Sequence, residues 1–224
     1  GFTDFQAKLS TRPAEKSVGS DEIWDHATSC LLDTLKKVEM PYVVDEGGGA
    51  FYGPKIDIDV RDAIGRSWQL STIQADFNLP DRFDLEYVAS DGSRKQPVML
   101  HRALLGSVER FFGVLIEHFA GNFPLWLAPV QVEVLPVAED HNEYASTVVE
   151  RLKTAGFRVD MTEANDPLGK RIRRAKQQKL PYVLVVGDDD VAAGTVGVNP
   201  RGGEVERDVT VEDFIDRLDA EPAP

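Results

Sequence analysis

Residues 121 to 130 read GNFPLWLAPV, and the chain follows different rules on either side of them. The two prolines end any helix that reaches them, because proline lacks the backbone N–H that a helix interior needs. Upstream, extended segments follow one another at hairpin-like spacing. Downstream, strands and helices alternate. Consecutive strands favour an antiparallel sheet, and alternation favours an α/β layer with a mainly parallel core. A chain of 224 residues is comfortable for two domains of ordinary size. The patterns predict an α+β domain with an antiparallel sheet over residues 1–126 and a small α/β domain over 127–224.

In the upstream half, Ser20 can cap a helix over 21 to 38, with Asp21 and Glu22 matching its dipole. Trp24, Ala27, Leu31 and Leu35 form its apolar stripe, and Cys30 flanks it. YVVDE at 42–46 reads as a strand, broken by Gly47-Gly48-Gly49. IDIDV at 56–60 alternates apolar and acidic residues, as a half-exposed strand does, and a third strand is expected over 66–75. A long helix is expected from Arg102 to about residue 120, because Leu104, Val108, Phe111, Leu115 and Phe119 recur at three-to-four spacing. Gly106 would then interrupt that helix at a cost of about 1 kcal/mol relative to Ala. Arg110, four residues on, would share its face. Bare backbone beside a fixed cationic fork suits a phosphate or nucleotide. The other reading is a core helix with Gly for close packing and an Arg reaching solvent, and these residues alone favour it.

In the downstream half, VQVEVLPV at 130–137 reads as a strand. Asp140 and Glu143 match a capping-box spacing ahead of a helix with Ala145, Val148, Val149 and Leu152 inward. FRVDM at 157–161 is a second strand. Asp166 then Pro167 reads as N-cap and first helical residue. PYVLVVG at 181–187 is apolar enough to be buried on both faces. A strand near 195–199 and a helix near 210–219 follow.

The net charge of -13 argues against a general nucleic-acid binder. LGKRIRRAKQQKL at 168–180 nevertheless holds six Lys or Arg and no acid. It is either a solvated helix face or the one region where a polyanion would be attracted. Cys30 is the single cysteine, so no internal disulfide forms, which suits a reducing compartment. No apolar run is long enough for a membrane span, and GFTDFQAKLSTRP lacks the apolar block of a signal peptide. His26, His118 and His141 complete no metal-binding spacing.

Three segments carry a more specific signal: GGAFYGPKI at 48–56, RSWQLSTIQADFNLP at 66–80 and HRALLGSVERFFG at 101–113. Together and in this order they resemble the catalytic core of the threonyl-tRNA synthetase family of class II aminoacyl-tRNA synthetases. GSVER is similar to class II motif 3, whose Arg binds ATP. The resemblance runs from KLSTRP near residue 8 to the C-terminus, and the downstream half resembles the anticodon-binding domain shared by the threonine, proline, histidine and glycine enzymes. Motif 1, motif 2 and the editing region have no counterpart, so the chain reads as the C-terminal part of the enzyme, inactive alone. The parent would activate threonine with ATP and Mg and transfer it to tRNA(Thr). It would be a cytoplasmic homodimer with no membrane association. A prolyl-type class IIa enzyme, or a non-catalytic tRNA-binding or regulatory protein, are the alternatives.

The resemblance also implies residue roles. The reacting groups are anions, so the chemistry needs cations and close placement. Lys55 and Arg110 are the implied catalytic cations. ATP contacts are implied for Lys55, Gln69, Thr72, Ser107 and Arg110. Strand alternation sets Gln69 and Thr72 on opposite faces unless a bulge intervenes. Tyr52 and Ser107 are the implied threonine contacts, and Trp68 is expected to pack. His101 corresponds to one of three zinc ligands, whose Cys and His partners would lie upstream. Asn165, Arg173 and Asp190 correspond to anticodon readers, while Lys170 and Arg171 would hold phosphates. Where the family often carries a basic residue this chain has Asn199, so either Arg201 substitutes or the contact is weaker.

Overall fold

A computed structural model describes residues 2–222. The chain divides into two compact units, Gly1–His118 and Phe119–Pro224.

The first unit is built on a five-stranded sheet. Its strands are β1 (Phe5–Ser10), β2 (Tyr42–Asp45), β3 (Lys55–Arg61), β4 (Ser67–Asp76) and β7 (Met99–Ala103), in the order β2-β1-β3-β4-β7. All neighbours are antiparallel except β1 and β2. A short helix α2 (Asn78–Arg82) and a small ribbon of β5 (Tyr87–Val88) and β6 (Arg94–Lys95) lie between β4 and β7. The expected strands and antiparallel pairing are present. β1 was not anticipated, although Phe5, Ala7 and Leu9 alternate with Gln6, Lys8 and Ser10. Its Ala7 and Leu9 are buried while Lys8 reaches the opposite face.

Helix α1 (Asp21–Lys37) forms as its sequence predicts. The Ile23 N–H donates to Ser20 Oγ, and Trp24, Ala27, Leu31 and Leu35 are buried. Leu31 and Leu35 pack on Ala7, Leu9 and Ile56 of the sheet. Each Leu or Ile among them contributes about 1.5–3 kcal/mol by leaving water.

Two expectations fail in this unit. No helix starts at Arg102. Residues 99–103 are β7, paired with β4 through Ile73 and Arg102 and through Gln74 and His101. Gly106 follows in the left-handed region (φ 65°), which ends any continuous helix there, and α3 spans only Val108–Phe119. Gly106 is therefore outside the helix and shares no helical face with Arg110. Val114 is buried, whereas Leu104 and Val108 are about two-thirds exposed, at 64% and 65%. The second failure is β3. Its acids do not face water: Asp57 and Asp59 are 4% and 8% exposed.

The second unit has a mixed sheet in the order β12-β11-β10-β8-β9. Its strands are β8 (Val132–Pro136), β9 (Val159–Met161), β10 (Tyr182–Val186), β11 (Thr195–Pro200) and β12 (Glu206–Thr210). β8, β9 and β10 are parallel, and β11 and β12 add an antiparallel edge. Helices α4 (Asn142–Thr154) and α7 (Val211–Asp219) cover one face through Val148, Leu152 and Phe214. Helix α5 (Leu168–Gln177) covers the other, where Ala175 meets Leu135 and Val183. β10 is thus covered on both faces, as its composition predicts.

Two predicted caps are absent. A 3-10 turn, Glu139–His141, leads into α4, and the Ala138 N–H donates to His141 Nδ1 at 3.1 Å. Asp140 makes no cap. At α5, Asp166 spends its carboxylate on Lys170 at 2.9 Å rather than on the helix N-terminus. α6 (Asp188–Ala193) and β12 were not anticipated: DDDVAA is too short and acidic to show a helical stripe, and ERDVT does not alternate.

Candidate functional site

In the first unit, polar side chains gather where β3 meets β4. The two strands pair regularly from Lys55 to Ile58, opposite Gln74 to Ser71. The register then slips, so that Asp59 faces Gln69 and Leu70 is the extra residue. This β-bulge changes the parity of β4. Gln69 and Thr72, three apart in sequence, fall on one face, with Gln69 Nε2 3.0 Å from Thr72 Oγ1.

Both meet Asp57. Its Oδ1 accepts from Gln69 Nε2 at 2.6 Å and from Thr72 Oγ1 at 2.7 Å. Its Oδ2 lies 2.6 Å from Lys55 Nζ, on the same strand face two residues earlier, and 3.4 Å from Ser10 Oγ. One step along β3, Asp59 is held by Lys8 Nζ at 2.6 Å and Ser67 Oγ at 3.0 Å. The bond to Asp59 raises the Lys8 pKa. Two buried acids stay tolerable because each has a lysine and a hydroxyl partner.

Arg110, in the first turn of α3, reaches the same strand. Its Nη1 donates to the Gln69 carbonyl at 3.4 Å, and its guanidinium lies 5.6 Å from the Trp68 ring centroid. Arg66 lies 5.4 Å from that ring. The Trp68 Nε1–H donates to Asp62 Oδ2 at 2.9 Å, so Trp68 packs and anchors at once. Burial would raise the Asp62 carboxyl, but donors from Trp68, Arg66 and backbone amides hold it well below the usual range. Ser107 Oγ accepts the Arg110 N–H at 3.2 Å and starts α3. Two glycines let neighbouring turns approach β4. A Cβ on Gly53 would lie 1.8 Å from the Ala75 carbonyl oxygen, and one on Gly106 2.7 Å from that of Leu70.

A second cluster lies further along β4. Tyr52 OH donates to Gln74 Oε1 at 3.1 Å, and its ring stands edge-on to His101 with centroids 6.3 Å apart. His101 Nε2 is 2.7 Å from Asp76 Oδ2. Asp76 Oδ1 accepts the Asn78 and Leu79 N–H groups. Burial would raise the Asp76 carboxyl, but the His101 bond and these amides lower it. With Nε2 engaged, Nδ1 is the ring nitrogen left to bind something else. Gln74 Nε2 is buried with no hydrogen-bond partner among the described residues. Among those residues no group of three or more His, Cys, Asp or Glu could hold a metal ion.

The structure therefore brings Lys55, Gln69, Thr72 and Arg110 together around β4, with Ser107 beside Arg110, and gathers Tyr52 with His101. Sequence reasoning missed Asp57, Gln74 and Asp76. The spacing of Lys55 and Asp57 on one strand face was a usable signal for the first, but alternation with apolar residues read as exposure.

The second unit does not gather its five candidates. Lys170, Arg171 and Arg173 line a small hollow of about 210 Å³ on α5 with Asp166, Arg174 and Gln177. Arg173 is exposed, and Lys170 is exposed while paired with Asp166. Arg171 is not a surface cation. It is 2% exposed and donates to the carbonyls of Asp166, Pro136, Thr162 and Val137, which orders the start of α5 against β8. Its guanidinium has no fork left for a phosphate. Asp190 accepts the Gly187 N–H at 3.0 Å and Thr195 Oγ1 at 3.3 Å, and lines a separate cleft of about 480 Å³ with Asn199 and Arg207. Asn165 contacts Glu163 at 3.4 Å and lines neither hollow. Arg201 is committed to the carbonyls of Lys179, Asn122 and Phe123, so it does not replace a cation at Asn199.

Comparison with known proteins matches both units. The family model described as tRNA synthetase class II core domain (G, H, P, S and T) matches residues 6–119, and that described as anticodon binding domain matches 131–221. The chain is 52% identical over 223 residues to a threonine–tRNA ligase of Magnetococcus marinus, covering 100% of this chain and 34% of that protein. It is 55% identical over 204 residues to the threonine–tRNA ligase of Acidithiobacillus ferrooxidans, covering 91% and 32%. It thus spans about a third of the length of these curated relatives. A solved structure titled as the RNA binding domain of threonyl-tRNA synthetase from Cryptosporidium parvum superposes with a TM-score of 0.89 at 38% identity, covering 98% of this chain and 55% of that one. No helix among the described residues is long and apolar enough to cross a membrane.

Proposed function

Because the chain belongs to the class II tRNA synthetase core family (G, H, P, S and T), we propose that it is the C-terminal part of a threonine–tRNA ligase. In this reading residues 1–126 contribute to the site that activates threonine with ATP, and 127–224 bind the anticodon of tRNA(Thr). The carrying observation is the convergence of Lys55, Gln69 and Thr72 on Asp57, with Arg110 beside them on the Gln69 carbonyl. The identity to threonine ligases across the chain favours threonine over the proline-type and non-catalytic alternatives.

The chemistry asked of these residues is placement and charge. A threonine carboxylate must approach an ATP α-phosphate while pyrophosphate leaves, and every participant is anionic. Lys55 and Arg110 offset that charge. Gln69 and Thr72 orient the nucleotide, and Ser107 fixes the turn that presents Arg110. Mg would accompany the ATP phosphates. Tyr52 and Ser107 face threonine.

A zinc that reads threonine would take His101 as one ligand. The residues present fit that single role, since Asp76 fixes the ring as carboxylates fix metal-bound imidazoles. Three ligands are not found among the described residues. The ligase would act as a cytoplasmic homodimer. In the anticodon unit, Lys170 and Arg173 would face phosphates, while Asn165 and Asp190 would face bases.

The test is amino-acid-dependent ATP–pyrophosphate exchange by a full-length ligase carrying this chain. Exchange with threonine well above proline and serine supports the reading. A preference for proline, or none, overturns it.

A further inference from the structure

We infer that Asp57 is a positioning residue for nucleotide binding, holding three ATP-facing side chains in one arrangement before ligand arrives. The inference rests on the proposed roles of Lys55, Gln69 and Thr72.

Lys55 lies in one sequence segment, and Gln69 and Thr72 lie in another. They come from two strands and converge only because one buried carboxylate takes a donor from each, at 2.6, 2.6 and 2.7 Å. A carboxylate at 4% exposure is costly unless fully partnered. Here three of the four partners are the residues proposed to meet the nucleotide, and the fourth, Ser10 Oγ, is the longest contact at 3.4 Å. The β-bulge at Leu70 is needed for two of the three contacts to coexist, since a regular strand would turn Gln69 and Thr72 apart.

The contacts also fix chemical states. Gln69 Nε2 is pinned to Asp57, so its Oε1 is the end left to accept. Thr72 donates its proton to Asp57, so its oxygen, which already accepts from Gln69 Nε2 at 3.0 Å, can meet a further group only as an acceptor. Lys55 is held on this face by its ion pair. An anionic phosphate arriving at Lys55 shares the ammonium with Asp57, and Asp57 keeps Gln69 and Thr72 in place during that exchange.

Asp59 supplies an internal comparison. It lies on the same face of the same strand, is 8% exposed, and is paired with a lysine and a hydroxyl. Its partners, Lys8 and Ser67, are not proposed nucleotide contacts. If Asp57 merely filled a buried polar slot, the two acids would behave alike.

The experiment compares Asp57→Asn with Asp59→Asn in the full-length ligase carrying this chain, reading ATP–pyrophosphate exchange and thermal melting. For Asp57→Asn the KM for ATP is expected to rise roughly tenfold, the effect of losing one charge-assisted contact, while the KM for threonine stays within about twofold. Asp59→Asn is expected to lower the melting temperature without a selective change in the ATP KM. Asp57→Glu, which keeps the charge but moves it by one methylene, is expected to raise the ATP KM about threefold, and it carries the test if the Asn variant does not fold. An unchanged ATP KM, a parallel rise in both KM values, or the same behaviour from Asp59→Asn overturns the inference. An unsubstituted ligase with no threonine-dependent exchange would overturn the proposed function instead.

Discussion

His101 Nε2 lies 2.7 Å from Asp76 Oδ2, and the same carboxylate accepts the Asn78 and Leu79 amides through its other oxygen. The imidazole is thereby tied to the start of α2, and its Nδ1 is left as the nitrogen available for a ligand. Removing the ring or its anchor should have separable effects. In the full-length ligase, His101→Ala is expected to lower zinc content and threonine selectivity over valine together. Asp76→Asn is expected to weaken zinc affinity roughly 10- to 100-fold. Elemental analysis showing full zinc in His101→Ala would make His101 structural only.

Asp76 also predicts an acid limb. Its folded pKa is below the ordinary value, with burial opposing and the His101 and amide bonds lowering it. A depressed carboxyl stabilises the fold above its unfolded pKa of about 3.9, and that contribution is lost as pH falls through the lower folded value. Urea titrations of the 224-residue chain should show a stability gap between the unsubstituted chain and Asp76→Asn above about pH 4 that closes in stronger acid. A gap independent of pH would contradict this.

Arg110→Ala is expected to reduce threonine-dependent exchange by about 10- to 150-fold, the effect of losing roughly 1.5–3 kcal/mol of charge-assisted contact. Melting should change little, because the side chain is exposed and its one hydrogen bond, to the Gln69 carbonyl, is long at 3.4 Å. Exchange at a near-normal rate would remove Arg110 from the site.

The basic helix divides into surface and structural cations. Residues 128–224 expressed alone are expected to fold and to bind the tRNA(Thr) anticodon arm weakly, with steep salt dependence. Lys170→Glu with Arg173→Glu should abolish that binding without unfolding. Arg171→Ala should instead destabilise by about 3 kcal/mol or more, because four carbonyls lose a buried donor. Fluorescence anisotropy at two salt concentrations, with circular dichroism, separates the cases. Unchanged affinity in the double variant would make α5 only a solvated face.

Much of the architecture was legible because it rests on local periodicity. The stripe of α1, the two-faced burial of β10 and the antiparallel sheet all follow from apolar spacing. What failed depends on long-range pairing. HRALLG has a helical spacing of apolar residues, but 99–103 gain more as a strand beside β4, and a left-handed Gly106 ends the matter. IDIDV alternates like an exposed strand, but Lys55 on the same strand, Lys8 from β1 and polar side chains of β4 partner its acids, which are buried. Arg171 sits among surface cations in sequence, yet its position on α5 turns it toward backbone carbonyls. The shared face of Gln69 and Thr72 depended on one unpaired residue that no alternation pattern records.

That residue ties two distant positions together. The bulge at Leu70 turns its carbonyl toward the turn before α3, where only a residue without a Cβ comes so close. Strand length and the identity of position 106 are therefore not independent. A lineage that shortens β4 by the extra residue loses the steric part of that demand, while the left-handed φ of 65° at 106 still favours glycine. One that keeps the insertion and replaces the glycine must part the two segments. Among related sequences, a side chain at 106 should occur only where β4 lacks the residue at 70.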